Sequence, residues 1–227
     1  MKTVYTFTFS VFFVFFSLTA ICASYPKVIW HAGHIELWDR TDLEGDLSYN
    51  WAAEMVSVRQ EDGRIRTFSA NQVARFGWFD YSQHRLRNFI SLVKPVDKDL
   101  TNQAFYEVCM DGSLTVVRRL RQSHGLLKGL LSHPAHATDQ PDMAQNMDLF
   151  DYFVYDAGRL LTLNRFYIDI YEPLMTTYKK ELHQYIQIHN INDRTLPGRL
   201  VLIDRYNWFV QQDSKAASAK GVADAPN

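Results

Sequence analysis

The chain reads as an α+β protein, an antiparallel β-roll or small barrel followed by two C-terminal helices. Three observations predict this. Between about residue 27 and residue 163, apolar and polar side chains alternate in short runs, the period-two pattern of half-buried strands. Tight-turn dipeptides (Asp62-Gly63, Asp111-Gly112 and Ala157-Gly158) stand between pairs of those runs, as hairpins require. From Asn164 the apolar spacing lengthens to the period of a helix.

Taken in order, residues 28–30 and 34–38 read as one or two short strands. Leu43, Gly45, Leu47 and Tyr49 alternate with Glu44, Asp46 and Ser48, which makes one face apolar and the other polar. Residues 54–60 and 64–70 flank Glu61-Asp62-Gly63. Residues 76–79 and 86–93 pair across 80–85, and 105–110 pairs with 113–121 across Asp111-Gly112. Residues 152–155 and 160–163 flank Ala157-Gly158. Short strands joined by tight turns favour an antiparallel sheet curled on itself. Residues 122–148, rich in His, Pro and small polar side chains, predict a long flexible loop. Leu174, Tyr178, Leu182, Tyr185 and Ile186 then define one helix, with Pro173 in its first turn. A second helix covers 199–210, set off by Pro197-Gly198, with Leu200, Ile203, Tyr206, Asn207 and Val210 on one face. Residues 211–227 lack apolar anchors and are expected to be disordered.

The N-terminus has its own logic. Lys2 gives a charged start, residues 4–20 carry no charge and are dominated by Phe and Val, and small residues follow at Ala20, Cys22, Ala23 and Ser24. This is the pattern of a secretory signal peptide over residues 1–23, with an apolar core of about 17 residues at the lower edge of what spans a bilayer. The protein is therefore expected to be exported, periplasmic or extracellular. Cys22 adds a variant: Leu18-Thr19-Ala20-Ile21-Cys22 partly matches a lipoprotein cleavage box, although Ile21 is bulkier than the small residue normally found there. Membrane association is expected only if Cys22 is lipidated or the signal is retained. The predicted organisation is thus signal peptide 1–23, a β-rich domain 24–163 with a flexible loop at 122–148, helices 164–210 packed on it, and a tail 211–227.

Composition narrows the function. Removal of Lys2 with the signal takes the net charge from −1 to −2, and no basic cluster remains, which argues against nucleic acid as a partner. Cleavage after Ala23 leaves Cys109 as the one thiol, in the apolar run Phe105-Tyr106-Glu107-Val108-Cys109-Met110, where a buried, inert thiol is expected. The metal candidates are His133 and His136, with His124 and Asp139 near in sequence; Pro134 between the two histidines prevents a regular helix from presenting them together. Glu61-Asp62, Asp139 with Asp142, and Asp148 with Asp151 are paired carboxylates best explained as turn residues. Arg119 and Arg121 should share one face of a strand and Arg118 the other, a solvated basic face or an anion site. Trp30, Trp38, Trp51, Trp78 and Trp208 are large flat faces of the kind sugars stack on, with Trp38 and Trp51 near turns where exposure is allowed, although tryptophan more often buries most of its area in a core. No nucleophile elbow, phosphate loop or Cys-x-x-Cys occurs, and no cofactor is implied.

Gly33-His34-Ile35-Glu36-Leu37, then 43–50, 62–73, 105–108 through Arg118-Arg119, and the helices ending near Tyr206-Asn207 resemble a group of uncharacterised exported proteins of Bacteroidetes-type bacteria. The resemblance spans most of the chain after the signal and implies export and a β-rich body with C-terminal helices; it implies no activity. The opening strand–turn–Gly–strand rhythm is also similar to SH3-like small barrels. The sequence thus predicts an exported cell-envelope protein that acts as a non-catalytic binding or interaction protein, its partner unknown. Two alternatives stand beside it: a hydrolase whose carboxylates and histidines converge only in three dimensions, and a structural envelope component marked by a large exposed apolar patch.

Overall fold

The structure, a computed structural model, describes residues 28–93, 103–121 and 144–223. Among them ten strands form one antiparallel sheet: β1 (His31–Leu37), β2 (Asp42–Asn50), β3 (Met55–Arg59), β4 (Ile65–Ser69), β5 (Val73–Asp80), β6 (Arg85–Val93), β7 (Gln103–Met110), β8 (Thr115–Leu120), β9 (Phe150–Asp156) and β10 (Arg159–Thr162). Their order across the sheet is β10-β9-β8-β7-β6-β5-β1-β2-β3-β4. Two meanders are therefore joined side by side, with β1 and β5 as the seam. The helices follow, so the class is α+β.

The turns form for local reasons. At the β3–β4 turn, Asp62 Oδ1 accepts from the Arg64 N–H at 2.9 Å and Gly63 takes φ 80°. Between β9 and β10, Ala157 and Gly158 both have positive φ, 46° and 83°, the geometry whose twist matches the flanking strands. At the β5–β6 turn the Asp80 carboxylate accepts from the Ser82 N–H at 2.9 Å and the Gln83 N–H at 3.2 Å. The first strand is a single element that starts at His31, where the sequence pattern allowed two.

The sheet is bent hard. Trp51, at the end of β2, and Phe150 on β9 have ring centroids 5.0 Å apart. Those strands stand six spacings apart in the ladder, about 29 Å if the sheet were flat. Residues 70–72 link β4 to β5, strands four spacings apart; the linker spans at most about 14 Å, short of the roughly 19 Å a flat sheet demands. The Trp38 indole N–H closes this corner by donating to the Ala70 carbonyl at 3.2 Å. Among the described residues, however, the ladder is not closed: β4 and β10 are its two edges, and no β4–β10 pairing completes a barrel.

Bending gives the sheet an inner and an outer face. Alternation turns Ile35, Leu47, Tyr49, Val56, Phe76, Trp78, Phe89, Phe105 and Val154 inward, all at most 1% exposed. Phe76 stacks on its cross-strand neighbour Phe89 at 4.6 Å, and Tyr49 meets Phe105 edge-on at 5.8 Å across the bend. Each aromatic pair contributes about 0.5–1.5 kcal/mol beyond its buried area. A smaller cluster of Ala104, Tyr106 and Val117 lies on the outer face of β7 and β8.

The helical layer corrects the sequence reading in three places. The expected helix begun by Pro173 is broken: a π-turn at Tyr167–Tyr171 leads into one turn at Glu172–Leu174, then Met175 leaves helical geometry (φ −107°, ψ 14°). That break inserts Met175 fully into the core, and the regular helix α1 runs only over Lys179–His189, ending on Asn190 in the left-handed region. Pro197-Gly198 does not separate the second helix from what precedes it; the pair forms its first turn. The helix α2 spans Leu196–Ala223, and Thr195 Oγ1 caps it by accepting from the Gly198 N–H at 3.2 Å. A Cβ on Gly198 would fall 1.9 Å from the Asn192 carbonyl oxygen, so this tight entry admits only glycine. Residues expected to be disordered from 211 onward continue α2 as far as Ala223, exposed through Ala217. The signal segment 1–23 and residues 122–143 of the expected flexible loop lie outside the described residues; residues 147–149 of that loop form a short 3-10 turn capped by Asn146.

Candidate functional site

Period-two alternation places Arg85 and Arg87 of β6, Glu107 of β7 and Arg118 of β8 on the inner face, in neighbouring ladder positions. Glu107 is fully buried. Its Oε1 accepts from Arg87 Nε at 2.8 Å and Arg85 Nη2 at 3.0 Å; its Oε2 accepts from Arg118 Nε at 2.7 Å. Asp80, buried at the end of β5, lies 3.7 Å from Arg87. The two buried guanidiniums also cover rings: Arg118 stands 4.2 Å over Phe150 and Arg87 5.2 Å over Trp78. Arg118 reaches Tyr152 Oη at 3.5 Å.

Burial by itself raises the Glu107 carboxyl, but the adjacent Arg87 and Arg118 charges outweigh it and hold the group below its ordinary carboxylate value. An ionised carboxylate occupied on both oxygens by arginine neither donates a proton nor accepts one from a substrate. Aromatic side chains fill the space around it. The cluster is an internal electrostatic clamp between three strands, and truncating one partner leaves another buried charge uncompensated.

The outer face offers open space instead. A groove of about 420 Å³ crosses the ladder from β1 to β9. Its apolar lining comes from Phe76 of β5, Ile90 of β6, Val108 of β7 and Tyr155 of β9, the last three packed against the outer cluster of Ala104, Tyr106 and Val117. The polar residues that line it are His34, Arg75, Asn88, Asp111 and Thr115. Arg75 is ion-paired with Glu36, and Asp111 Oδ1 accepts from the Gly112 N–H at 2.9 Å. Asn88 Oδ1 overlies Gly77, where a Cβ would approach it to 2.6 Å, so this glycine makes room for the amide.

The remaining sequence candidates scatter. His124, His133, His136, Asp139 and Asp142 lie outside the described residues, as does Cys22. Among the described residues no group of three or more His, Cys, Asp or Glu is placed to hold a metal ion. Cys109 is half-buried on the inner face of β7; desolvation, reinforced by Glu107, pushes its thiol up to about 12. Glu61 and Asp62 are exposed turn residues, with Asp62 paired to Arg64. Asp151 pairs with Arg121, away from Asp148. The basic trio divides as alternation requires, but Arg118 is not solvated: it is 4% exposed and bound to Glu107, while Arg119 meets Glu54 at 2.6 Å. Trp38 is half exposed; Trp51, whose turn left both exposure and burial open, is buried at 2% because the bend presses it on Phe150. Sequence reasoning missed Glu107, whose one signal was an acidic residue inside an otherwise apolar strand. Among the described residues no helix is long and apolar enough to cross a membrane.

No protein family, curated protein or solved structure matches the chain.

Proposed function

We propose that this is an exported cell-envelope protein that binds a partner without transforming it, and that its binding surface is the outer-face groove. The observation that carries this reading is the state of the inner face. The buried cluster of acidic and basic side chains around Glu107 is packed shut, and its charges are spent on each other. A hydrolase needs convergent ionisable groups beside a space for substrate; the Glu107 cluster is packed among aromatic rings, and in the open concavity of about 780 Å³ lined by Glu44, Asp46, Arg59, Glu61 and Asp62, Asp46 is paired with Arg59 and Asp62 with Arg64. Export rests on the residue pattern of 1–23, with Cys22 as the alternative lipidated start. The bend of the sheet and the short β4–β5 link further support reading β1 to β5 as a small, partly rolled barrel.

The test has two arms. Mass spectrometry of the protein recovered from the exporting cell reads its mature N-terminus: a start at Ser24 or Tyr25 in the soluble fraction supports simple export, and a lipidated Cys22 moves the protein to the membrane. Co-sedimentation of the purified protein with insoluble envelope material, with the supernatant assayed for released fragments, separates binder from enzyme. Retention without release supports the proposal. Fragment release that grows with time overturns it in favour of a hydrolase.

A further inference from the structure

We propose that the outer-face groove takes a linear, uncharged glycan. This rests on the binding-protein reading above and names the ligand class of that surface. The first argument concerns what a sheet face can offer. The strands under the groove are paired on both sides through β1, β5, β6, β7, β8 and β9, so their backbone N–H and C=O groups are committed to the ladder. A ligand lying there meets side chains only. An extended peptide brings its own row of backbone donors and acceptors and would leave many of them facing apolar Ile90 and Val108, at a cost of about 1–3 kcal/mol for each buried group left unmade. A pyranose has the opposite layout. Its C–H faces are apolar and its hydroxyls radiate around the rim. Laid flat, it sets C–H against Ile90, Val108 and the Tyr155 ring and turns hydroxyls toward His34, Asn88 and Thr115.

Charge supplies the second argument. Arg75, the groove's guanidinium, is already held by Glu36, and Asp111 adds a negative charge at the other end. The surface therefore carries no surplus of positive charge to attract phosphate, sulfate or uronate. Shape supplies the third. The groove crosses five strand spacings, about 24 Å along the ladder, which matches an extended chain better than a single ring.

Titration calorimetry on the full chain tests the assignment. The probes are hexasaccharides of β-linked glucose, N-acetylglucosamine, xylose and mannose, their disaccharides, polygalacturonate, and a neutral Ser/Thr/Gly peptide of similar length. The expected result is that at least one hexasaccharide binds at least tenfold more tightly than its disaccharide. Tyr155→Ala and Asn88→Ala each weaken that binding about tenfold, and Tyr155→Phe retains it. Asn88 and His34 are exposed, so Asn88→Ala and His34→Ala keep the test valid if Tyr155→Ala fails to fold. The proposal is overturned if no hexasaccharide binds, if all three alanine variants bind as well as the parent, or if polygalacturonate or the peptide binds instead. Envelope retention combined with silence toward every sugar removes the glycan and leaves the binding protein. Absence of any retention removes both.

Discussion

The side-chain amide of Asn207 forms two hydrogen bonds with the backbone of Leu114, accepting from its N–H at 2.8 Å and donating to its carbonyl at 2.9 Å. One residue of α2 thereby satisfies both backbone polar groups of buried Leu114 at the β7–β8 turn, tying the helical layer to the sheet. Gly112 makes the approach possible, because a Cβ there would lie 2.6 Å from Asn207 Cγ. Asn207→Leu leaves a buried donor and acceptor without partners and should cost about 2–4 kcal/mol. For a chain of this size that lowers the melting temperature by roughly 5–10 °C, readable by circular dichroism. Gly112→Ala should act in the same direction, and the double variant should fall short of the sum of the two.

The Glu107 clamp predicts a pH signature. The unfolded carboxyl titrates near about 4.3, and the folded one lies below that because Arg87 and Arg118 outweigh its burial. The group therefore contributes fully above roughly pH 5, and its contribution is lost as pH falls through the folded value. Glu107→Gln should flatten this acid limb in urea titrations taken between about pH 3 and 7. At neutral pH it should also destabilise by about 3–5 kcal/mol, since two buried guanidiniums lose their counter-charge. Adding Arg118→Met should recover part of that loss, because one of the orphaned charges is gone.

Cys109 should be silent in the native protein. Its thiol is raised to about 12 by burial and by the Glu107 charge, so a negligible share is thiolate at pH 8. Treatment with a chromogenic disulfide reagent should label less than a tenth of the chains in buffer and all of them in guanidinium chloride. Rapid native labelling would contradict the raised thiol and the inner-face placement of this residue.

Trp51 and Trp38 make a matched pair for the bend. Trp51→Ala opens a cavity between the two ends of the sheet and should cost about 3–5 kcal/mol in chemical denaturation. Trp38 is half exposed and loses chiefly its hydrogen bond to Ala70, so Trp38→Ala should cost about 1 kcal/mol.

What could be read from the residues alone follows from how far apart the determining groups are. Asp62-Gly63 and Ala157-Gly158 fix their hairpins within four residues, and the strands around them were legible. The antiparallel seam of β1 with β5 was not, since nothing local tells Ile35 that it will lie opposite Phe76. The turn beside Trp51 left its exposure open, because Phe150, the partner across the bend, is not visible in the local sequence. Glu107 looked like an ordinary strand residue for the same reason: its three arginines come from elsewhere in the chain. Pro197-Gly198 misled in the other direction. The same two residues that end helices also suit a first turn when a capping Thr195 stands before them. The outer groove draws one or two residues from each of several strands and leaves no linear trace.

The strand order carries one more consequence. Each strand after the first pairs with one that precedes it in the chain: β2 on β1, β3 on β2, β4 on β3, β5 back on β1, and then each newcomer on its immediate predecessor. No strand waits for a later one. A chain emerging N-terminus first, from a ribosome or through a membrane pore, can lay down this sheet in the order in which it appears, growing from a finished five-strand seed along the single margin that begins at β5. Every stage of that growth exposes one fresh edge, and the next segment to arrive is the one that covers it.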